Sequence, residues 1–327
     1  MNYIILDLEW NQSPTGKGTE NKEIPFEIIE IGAVKLDEDR NKISEFSELI
    51  KPQIYHEIHY KTEEIIHIKM EDLKNKETFP KVIKHFFDWC GDDYIFCTWG
   101  AMDLTEMQRN MKYFQVKELR DRPIKYYDIQ KIFALIYDNA EITRTLEYAI
   151  DYINISKKES FHRALNDANY AALIFKQMDI DIAQKNYSLD YFYNPKRKED
   201  EIKLVYENYS KEISTEFNSK ELALQDKDVR STVCYKCGKR ATKKIRWFSS
   251  SAKVYYCLAY CKEHGYIVGK IRIKKTIDGK SFAVKTLKIV SEEEANLIKF
   301  KQEELRVKRR KKRNNKRLQE IKKRNNA

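Results

Sequence analysis

Residues 3–9, YIILDLE, constrain this chain more than any other segment. The run is apolar enough for a buried strand, and strand alternation puts Asp7 and Glu9 on one face of a sheet. Two carboxylates on a mostly buried face repel each other and lose hydration, so they stay ionised only beside something positive. A pair of divalent cations meets that need, and Asp and Glu oxygens suit Mg²⁺ or Mn²⁺. The plain alternative is a strand end where one carboxylate reaches solvent and pairs with a lysine. An isolated D-x-E pair favours that alternative, so the choice depends on what else the sequence brings nearby.

Strands over 26–36 and 42–50 can follow the first in a meander. Residues 62–90 place Ile65, Ile66, Leu73, Val82, Ile83, Phe86, Phe87 and Trp89 at broadly helical spacing, with an interruption near Pro80. A short strand YIFCTW (94–99) leads to a helix from about 102 to 113, and a strand at 124–129 precedes helices near 129–137, 143–153 and 163–178. This order predicts an α/β fold, a mixed sheet with flanking helices. Asp103 opens the helix after YIFCTW, where its carboxylate can sit at the C-terminal end of a neighbouring strand. Asp167 lies in FHRALNDANYAALIF, facing in among Ala164, Ala168 and Ala171. His162, at the helix start, can lie near cations without ligating them; standing alone it would read as an ordinary surface or capping histidine.

The second half has a different chemistry. Residues 1–230 carry 33 Lys and Arg against 43 Asp and Glu, whereas residues 231–327 carry 29 against 8. So much positive charge in a short segment suits a polyanion, though a solvated tail would look the same. Four of the six cysteines crowd into the same region. Cys234-x2-Cys237-Gly238 and Cys261-x2-His264-Gly265 form two matching knuckles, each with a glycine where the chain must turn sharply, and together they predict one structural Zn²⁺ held by three thiolates and an imidazole. Cys257 is a surplus candidate and reads first as a buried strand cysteine. Cys90 and Cys97, in apolar surroundings, read as small buried residues. Arg240, Lys243, Lys244 and Arg246 alternate with Trp247, Phe248, Tyr255 and Tyr256, a mixture suited to single-stranded nucleic acid or to the core of a small zinc domain. A hairpin turning at Asp278-Gly279 follows. After it comes a long basic helix from about 291, with VKRRKKRNNKR at 307–317, expected to be loosely ordered without a polyanion.

LDLEW, WGAMD and HRALNDA, in this order and at these separations, resemble the three exonuclease motifs of the DEDDh family. That family includes the proofreading subunit of bacterial replicative polymerase, RNase T, the histone-mRNA exonucleases and the KapD-type exonucleases. The LDLEWNQ opening is most similar to the KapD and histone-mRNA branch, and the likeness covers about residues 1–180. The resemblance implies an RNase H-like sheet, metal-binding carboxylates at Asp7, Glu9, Asp103 and Asp167, and a catalytic histidine at His162. It also implies two Mg²⁺ (or Mn²⁺) ions about 3.5–4 Å apart on a scissile phosphate. The expected activity is 3′→5′ hydrolysis of single-stranded nucleic acid, RNA more than DNA. A DNA-end exonuclease and a non-cutting regulatory protein are the competing readings. Asp128, in YYDIQKIF, is similar to a recurrent family position and reads as a helix cap.

The expected organisation is an exonuclease domain over 1–182, a partly helical connector over 183–230 with an amphipathic helix at 200–224, a small zinc-ribbon-like domain over 231–290, and a basic helical tail over 291–327. Trp10, beside the first motif, joins Arg240, Lys243, Lys244 and Arg246 as a candidate nucleic-acid contact. The tail could instead serve a protein partner or the ribosome. No run approaches the roughly 18 apolar residues a membrane span needs, and the chain opens without a basic segment before an apolar one, so a cytoplasmic, membrane-free setting is expected.

Overall fold

The computed structural model describes residues 1–16, 18–117, 122–138 and 143–325, and the chain divides into two compact units, Met1–Tyr193 and Asn194–Ala327. In the first unit β1 (Asn2–Gln12), β2 (Phe26–Leu36) and β3 (Lys42–Leu49) form an antiparallel meander. Helices α1 (Tyr60–Ile66), α2 (Met70–Leu73) and α3 (Phe79–Cys90) follow. The expected interruption near Pro80 falls before it: proline sits in the first turn of α3, where its missing N–H costs nothing. Then come β4 (Tyr94–Thr98), α4 (Met102–Tyr113), β5 (Ile124–Asp128), α5 (Ile129–Tyr137), α6 (Leu146–Tyr152), α7 (Ala164–Gln177), α8 (Ile180–Lys185) and β6 (Ser188–Asp190). Among the described residues the sheet order is β3-β2-β1-β4-β5-β6, with β1, β4 and β5 parallel.

The alternation of β1 assigns its two faces to different cores. Tyr3 and Ile5 pack with residues of α5, α6 and α7, while Ile4, Leu6 and Leu8 pack with residues of α3 and α4. Asp7 and Glu9 therefore continue the α7 side of the sheet, at the C-terminal end of the strand. Cys90 and Cys97 are buried, and burial pushes the Cys90 thiol up to about 12.

The second unit contains β7 (Ile202–Val205), β8 (Tyr209–Phe217), α9 (Lys220–Gln225), β9 (Thr242–Ser249), β10 (Val254–Cys261), β11 (Gly265–Lys275), β12 (Ser281–Val290) and α10 (Glu292–Asn325). Its antiparallel sheet runs β7-β8-β12-β11-β10-β9. This corrects two expectations. The segment 200–224 is two strands before a short helix, because β8 pairs with β12, more than 60 positions later, and no local pattern reports such a partner. The sheet also recruits those strands, so the second unit is larger than a small zinc ribbon over 231–290. The β11–β12 hairpin turns as expected, with Gly279 at φ 79°. Helix α10 lies against this sheet at its start, where Lys301 Nζ sits 4.2 Å from the Tyr256 ring centroid. Residues 326–327 of the expected tail lie outside the described residues. No described helix is long and apolar enough to cross a membrane.

Candidate functional site

β1 carries Asp7 and Glu9 into register with Gly32 and Glu30 of β2. Gly32 is what lets α7 reach this place. A Cβ there would stand 2.1 Å from the backbone carbon of Ala164, so only a residue without a side chain allows the helix to touch the strand. The contact delivers Asp167, in the first turn of α7, to the same end of the sheet. Asp103, in the first turn of α4, arrives beyond the parallel strands and accepts a backbone hydrogen bond from Leu8. Asn110, buried on α4, accepts from the Ile28 amide and donates to the Phe26 carbonyl. Asp190 of β6 accepts from Thr105 and Gln108 at 2.7 Å. These two buried groups fix the helix that presents Asp103.

Carboxylate oxygens of Glu9 and Asp167 and a ring nitrogen of His162 lie within 4.8 Å of one another. His162 is exposed, and its backbone is left-handed at φ 65°. A non-glycine residue rarely adopts that conformation, and it costs on the order of 1 kcal/mol. Its own N–H donates to Asp167 Oδ2 at 3.0 Å, which holds the turn. The other oxygen, Asp167 Oδ1, is buried without a hydrogen-bond partner among the described residues. Asp128 caps α5 by accepting from the Lys131 amide.

The electrostatics are those of a crowded and only weakly compensated anion cluster. Burial, then the carboxylates of Asp103, Glu9, Asp167 and Glu30, raises Asp7 well above the usual carboxylate range. Burial, then Asp167, Glu30 and Asp103, raises Glu9 to about 8 against the opposing pull of Arg163. Burial raises Asp103 to about 7 and Asp167 to about 6. Among the described residues no Lys or Arg nitrogen lies within 4.0 Å of any of these four. A fifth acid, Glu30, is different. It is buried, and Arg163 reaches it through Nη2 at 2.7 Å and Nε at 3.1 Å, while the Ala164 amide donates to it at 3.3 Å. Among the described residues, then, Glu30 has a cation in direct contact, while Arg163 acts on Glu9 only from a distance and no Lys or Arg touches any of the four. The orphaned Asp167 oxygen and the hard oxygen donors fit one or more divalent cations. Glu30 and Arg163 were not found from the sequence; the two glutamates, Glu27 and Glu30, inside the otherwise apolar run FEIIEIGAV were the available signal.

A family model described as exonuclease, of the RNase T type, matches residues 4–175, just over half of the chain. The chain belongs to this exonuclease family. Its first unit is an exonuclease domain with an RNase H-like mixed α/β fold, and the assigned class of chemistry is hydrolysis of nucleic acid. Among solved structures it is similar to a 3′-exonuclease recognising the 3′ end of a histone mRNA stem-loop (18% identity, 59% of this chain and 92% of that one, TM-score 0.49). It is also similar to the nuclease domain of 3′hExo, a DEDDh family member bound to rAMP (20% identity, 57% and 96%, TM-score 0.48), and to cell-death related nuclease 4 (21% identity, 55% and 64%, TM-score 0.47). No curated protein sequence gives a significant match.

In the second unit of the exonuclease, Cys234, Cys237, Cys261 and His264 bring their ligand atoms within 4.8 Å of one another. Cys234 Sγ and His264 Nδ1 are 3.6 Å apart, and Cys237 Sγ and Cys261 Sγ also 3.6 Å. A tetrahedron with metal–sulfur bonds of about 2.3 Å has edges near 3.8 Å, so this set could hold zinc. Gly238 at φ 71° and Gly265 at φ 77° close the two knuckles. A hydrogen bond with His264 lowers the Cys261 thiol to about 6, toward the thiolate a metal needs. Cys257 stands apart from the four: it is buried opposite Gly269, and burial raises its thiol to about 12. Trp247 and Tyr255 pack on the core with Ile271 and Ile273.

The expected nucleic-acid contacts are only partly brought together. Arg240, Lys243 and Arg246 line one pocket, whereas Lys244 turns away, 5.5 Å from the Tyr260 ring. Trp10 is half-buried against Phe26, at 5.7 Å between ring centroids.

Proposed function

We propose that this chain is a 3′→5′ exonuclease of single-stranded nucleic acid, RNA in preference to DNA. In this reading Asp7, Glu9, Asp103 and Asp167 hold two divalent cations and His162 is the general base. One observation carries it: four carboxylates from β1, α4 and α7 lie close enough to raise one another, and among the described residues no Lys or Arg nitrogen is within 4.0 Å of any of them, while the fifth acid beside them is paired with Arg163. Such a group is stable as anions only around metal.

Bound Mg²⁺ or Mn²⁺ would lower the pKa of an attacking water and offset the charge on the phosphate and leaving oxygen. The remaining work falls to the chain. His162, exposed and off the helix, can take the water proton and pass it to solvent. The water oxygen bonds to phosphorus as the bond to the 3′ oxygen breaks, and that oxygen takes a proton from solvent, giving a 5′-mononucleotide and a new 3′-hydroxyl. The preference for RNA rests on the likeness of LDLEWNQ to the KapD and histone-mRNA branch. In the second unit, Zn²⁺ on Cys234, Cys237, Cys261 and His264 is structural, because four protein ligands leave no place for water.

The test uses 5′-labelled RNA and DNA of one sequence with Mg²⁺ or with chelator. Stepwise shortening from the 3′ end, faster for RNA and abolished by chelator, is expected. Internal cuts, shortening from the 5′ end, or activity in chelator would overturn the reading.

A further inference from the structure

The pocket lined by Arg240, Lys243 and Arg246 has a volume of about 750 Å³, in the range of small-molecule and nucleotide sites. Arg230 and Lys227 also line it, so five cations share one concavity. None of the five has a carboxylate within 4.0 Å among the described residues; one acid, Asp226, lines the pocket, its Oδ1 accepting from the amides of Asp228 and Val229 at 2.9 and 2.8 Å, so cations outnumber acids five to one. Like charges gathered in such excess are unfavourable in the free protein, and an anion relieves them.

The backbone fixes these cations in place. β9 pairs with β10 so that Ile245 faces Leu258 and Lys243 faces Ala259. Residue 244 is therefore the extra residue of a bulge, which turns Lys243 to the side of Arg246 and sends Lys244 to the other face. Arg240 is bridged to Val233, directly before the first knuckle, which closes through the Cys234 amide on the Lys239 carbonyl at 2.9 Å. The Arg230 carbonyl accepts from Trp247 Nε1 at 2.9 Å. Behind the pocket, buried Lys285 holds the Asp228 carbonyl at 2.7 Å and Ser231 Oγ at 3.0 Å, with Glu212 as its counter-ion at 2.8 Å. A solvated charge run would have no such framework.

We infer that this pocket is a phosphate-binding site for the backbone of a nucleic-acid strand, with Arg230, Arg240, Lys243 and Arg246 as its contacts and the zinc knuckle as its support. Guanidinium groups bind phosphate oxygens through paired N–H donors, so three arginines and a lysine can grip consecutive phosphates without reading bases. The choice of a polynucleotide over another phosphate compound rests on the nuclease reading above.

The test compares the full chain with the double variant Arg240→Ala/Arg246→Ala, both carrying Asp7→Asn to prevent cutting, by fluorescence anisotropy of a labelled oligoribonucleotide of about 20 nucleotides across a salt series. Lys253→Ala, an exposed lysine outside the pocket, is the equal-chemistry control. The double variant should bind on the order of 10-fold more weakly, and its slope of log affinity against log salt should flatten by about 1.4, two contacts at about 0.7 each on a single strand. Lys253→Ala should move neither by more than a small fraction of that. An unchanged affinity and slope in the double variant contradicts the inference. So does an equal loss in Lys253→Ala. Inorganic phosphate and a mononucleotide are titrated as competitors; if either binds the pocket as tightly as the oligomer does, the site is for a small anion and the inference fails. Cleavage of a dinucleotide, measured with Asp7 intact, should be the same in the parent chain and in Lys253→Ala. Absence of that cleavage in both chains defeats the nuclease reading and leaves the binding result standing by itself.

Discussion

Each unit gathers four side chains suited to holding metal, and the two do so in opposite ways. Cys234, Cys237, Cys261 and His264 come from two adjacent knuckles, closed by local backbone turns and set at tetrahedral spacing. Asp7, Glu9, Asp103 and Asp167 come from β1, α4 and α7, and only the packed sheet brings them together. A local cluster makes the fold lean on its metal, whereas a dispersed one makes the metal lean on the fold. The first should lose stability when a ligand is removed; the second should lose chemistry and keep its stability.

The largest expected effect is at the knuckles. Cys261→Ser should abolish stoichiometric zinc by metal analysis and lower the melting transition of the second unit by at least about 10 °C. Full zinc content in that variant would break the contrast.

Next comes the acidic site. Asp103→Asn should lower nucleotide release at least about 10³-fold, since it removes several kcal/mol of help to the transition state. The metal-free protein should melt no lower than the parent, because a buried repelling carboxylate has gone. A drop in melting temperature would assign Asp103 a structural role instead. His162→Ala should reduce turnover by about 10²-fold while Mn²⁺ affinity stays within a few-fold, and near-normal turnover would remove His162 from the mechanism.

A gentler test varies pH. Glu9, Asp103 and Asp167 are raised to about 8, 7 and 6, above the values near 4 of an unfolded chain. The metal-free folded state therefore holds protons that the unfolded state has released. Its advantage is complete below about pH 4 and is lost as pH rises through 6 to 8. In chelator the first unit should melt progressively lower from pH 6 to pH 9, and saturating Mn²⁺ should cancel the decline. A decline of equal size with Mn²⁺ present would mean the acids do not bind it.

Much of the acidic site was legible because its residues break local rules. Asp7 and Glu9 interrupt an apolar strand, and Asp167 interrupts a run of alanines. The parts that escaped notice are set by distant partners. Glu30 and Arg163 are 133 positions apart, and nothing local marks either as half of a pair. Gly32 looks like any strand glycine until the backbone of α7 is laid against it. In the second unit, EIKLVYENYSKEISTEF has the Glu and Lys content of an exposed helix, and its strands exist because β12 arrives to pair with them. The bulge at residue 244, which separates Lys244 from Lys243, is likewise a property of pairing with β10.

The central claim is that the four acids surround divalent metal. Anomalous diffraction from crystals of the full chain soaked in Mn²⁺ tests it directly. The account predicts two Mn²⁺ peaks among Asp7, Glu9, Asp103 and Asp167, with the Asp167 oxygen that lacks a partner as a ligand. Peaks confined to other carboxylates, or an empty acidic cluster at saturating Mn²⁺, would contradict it.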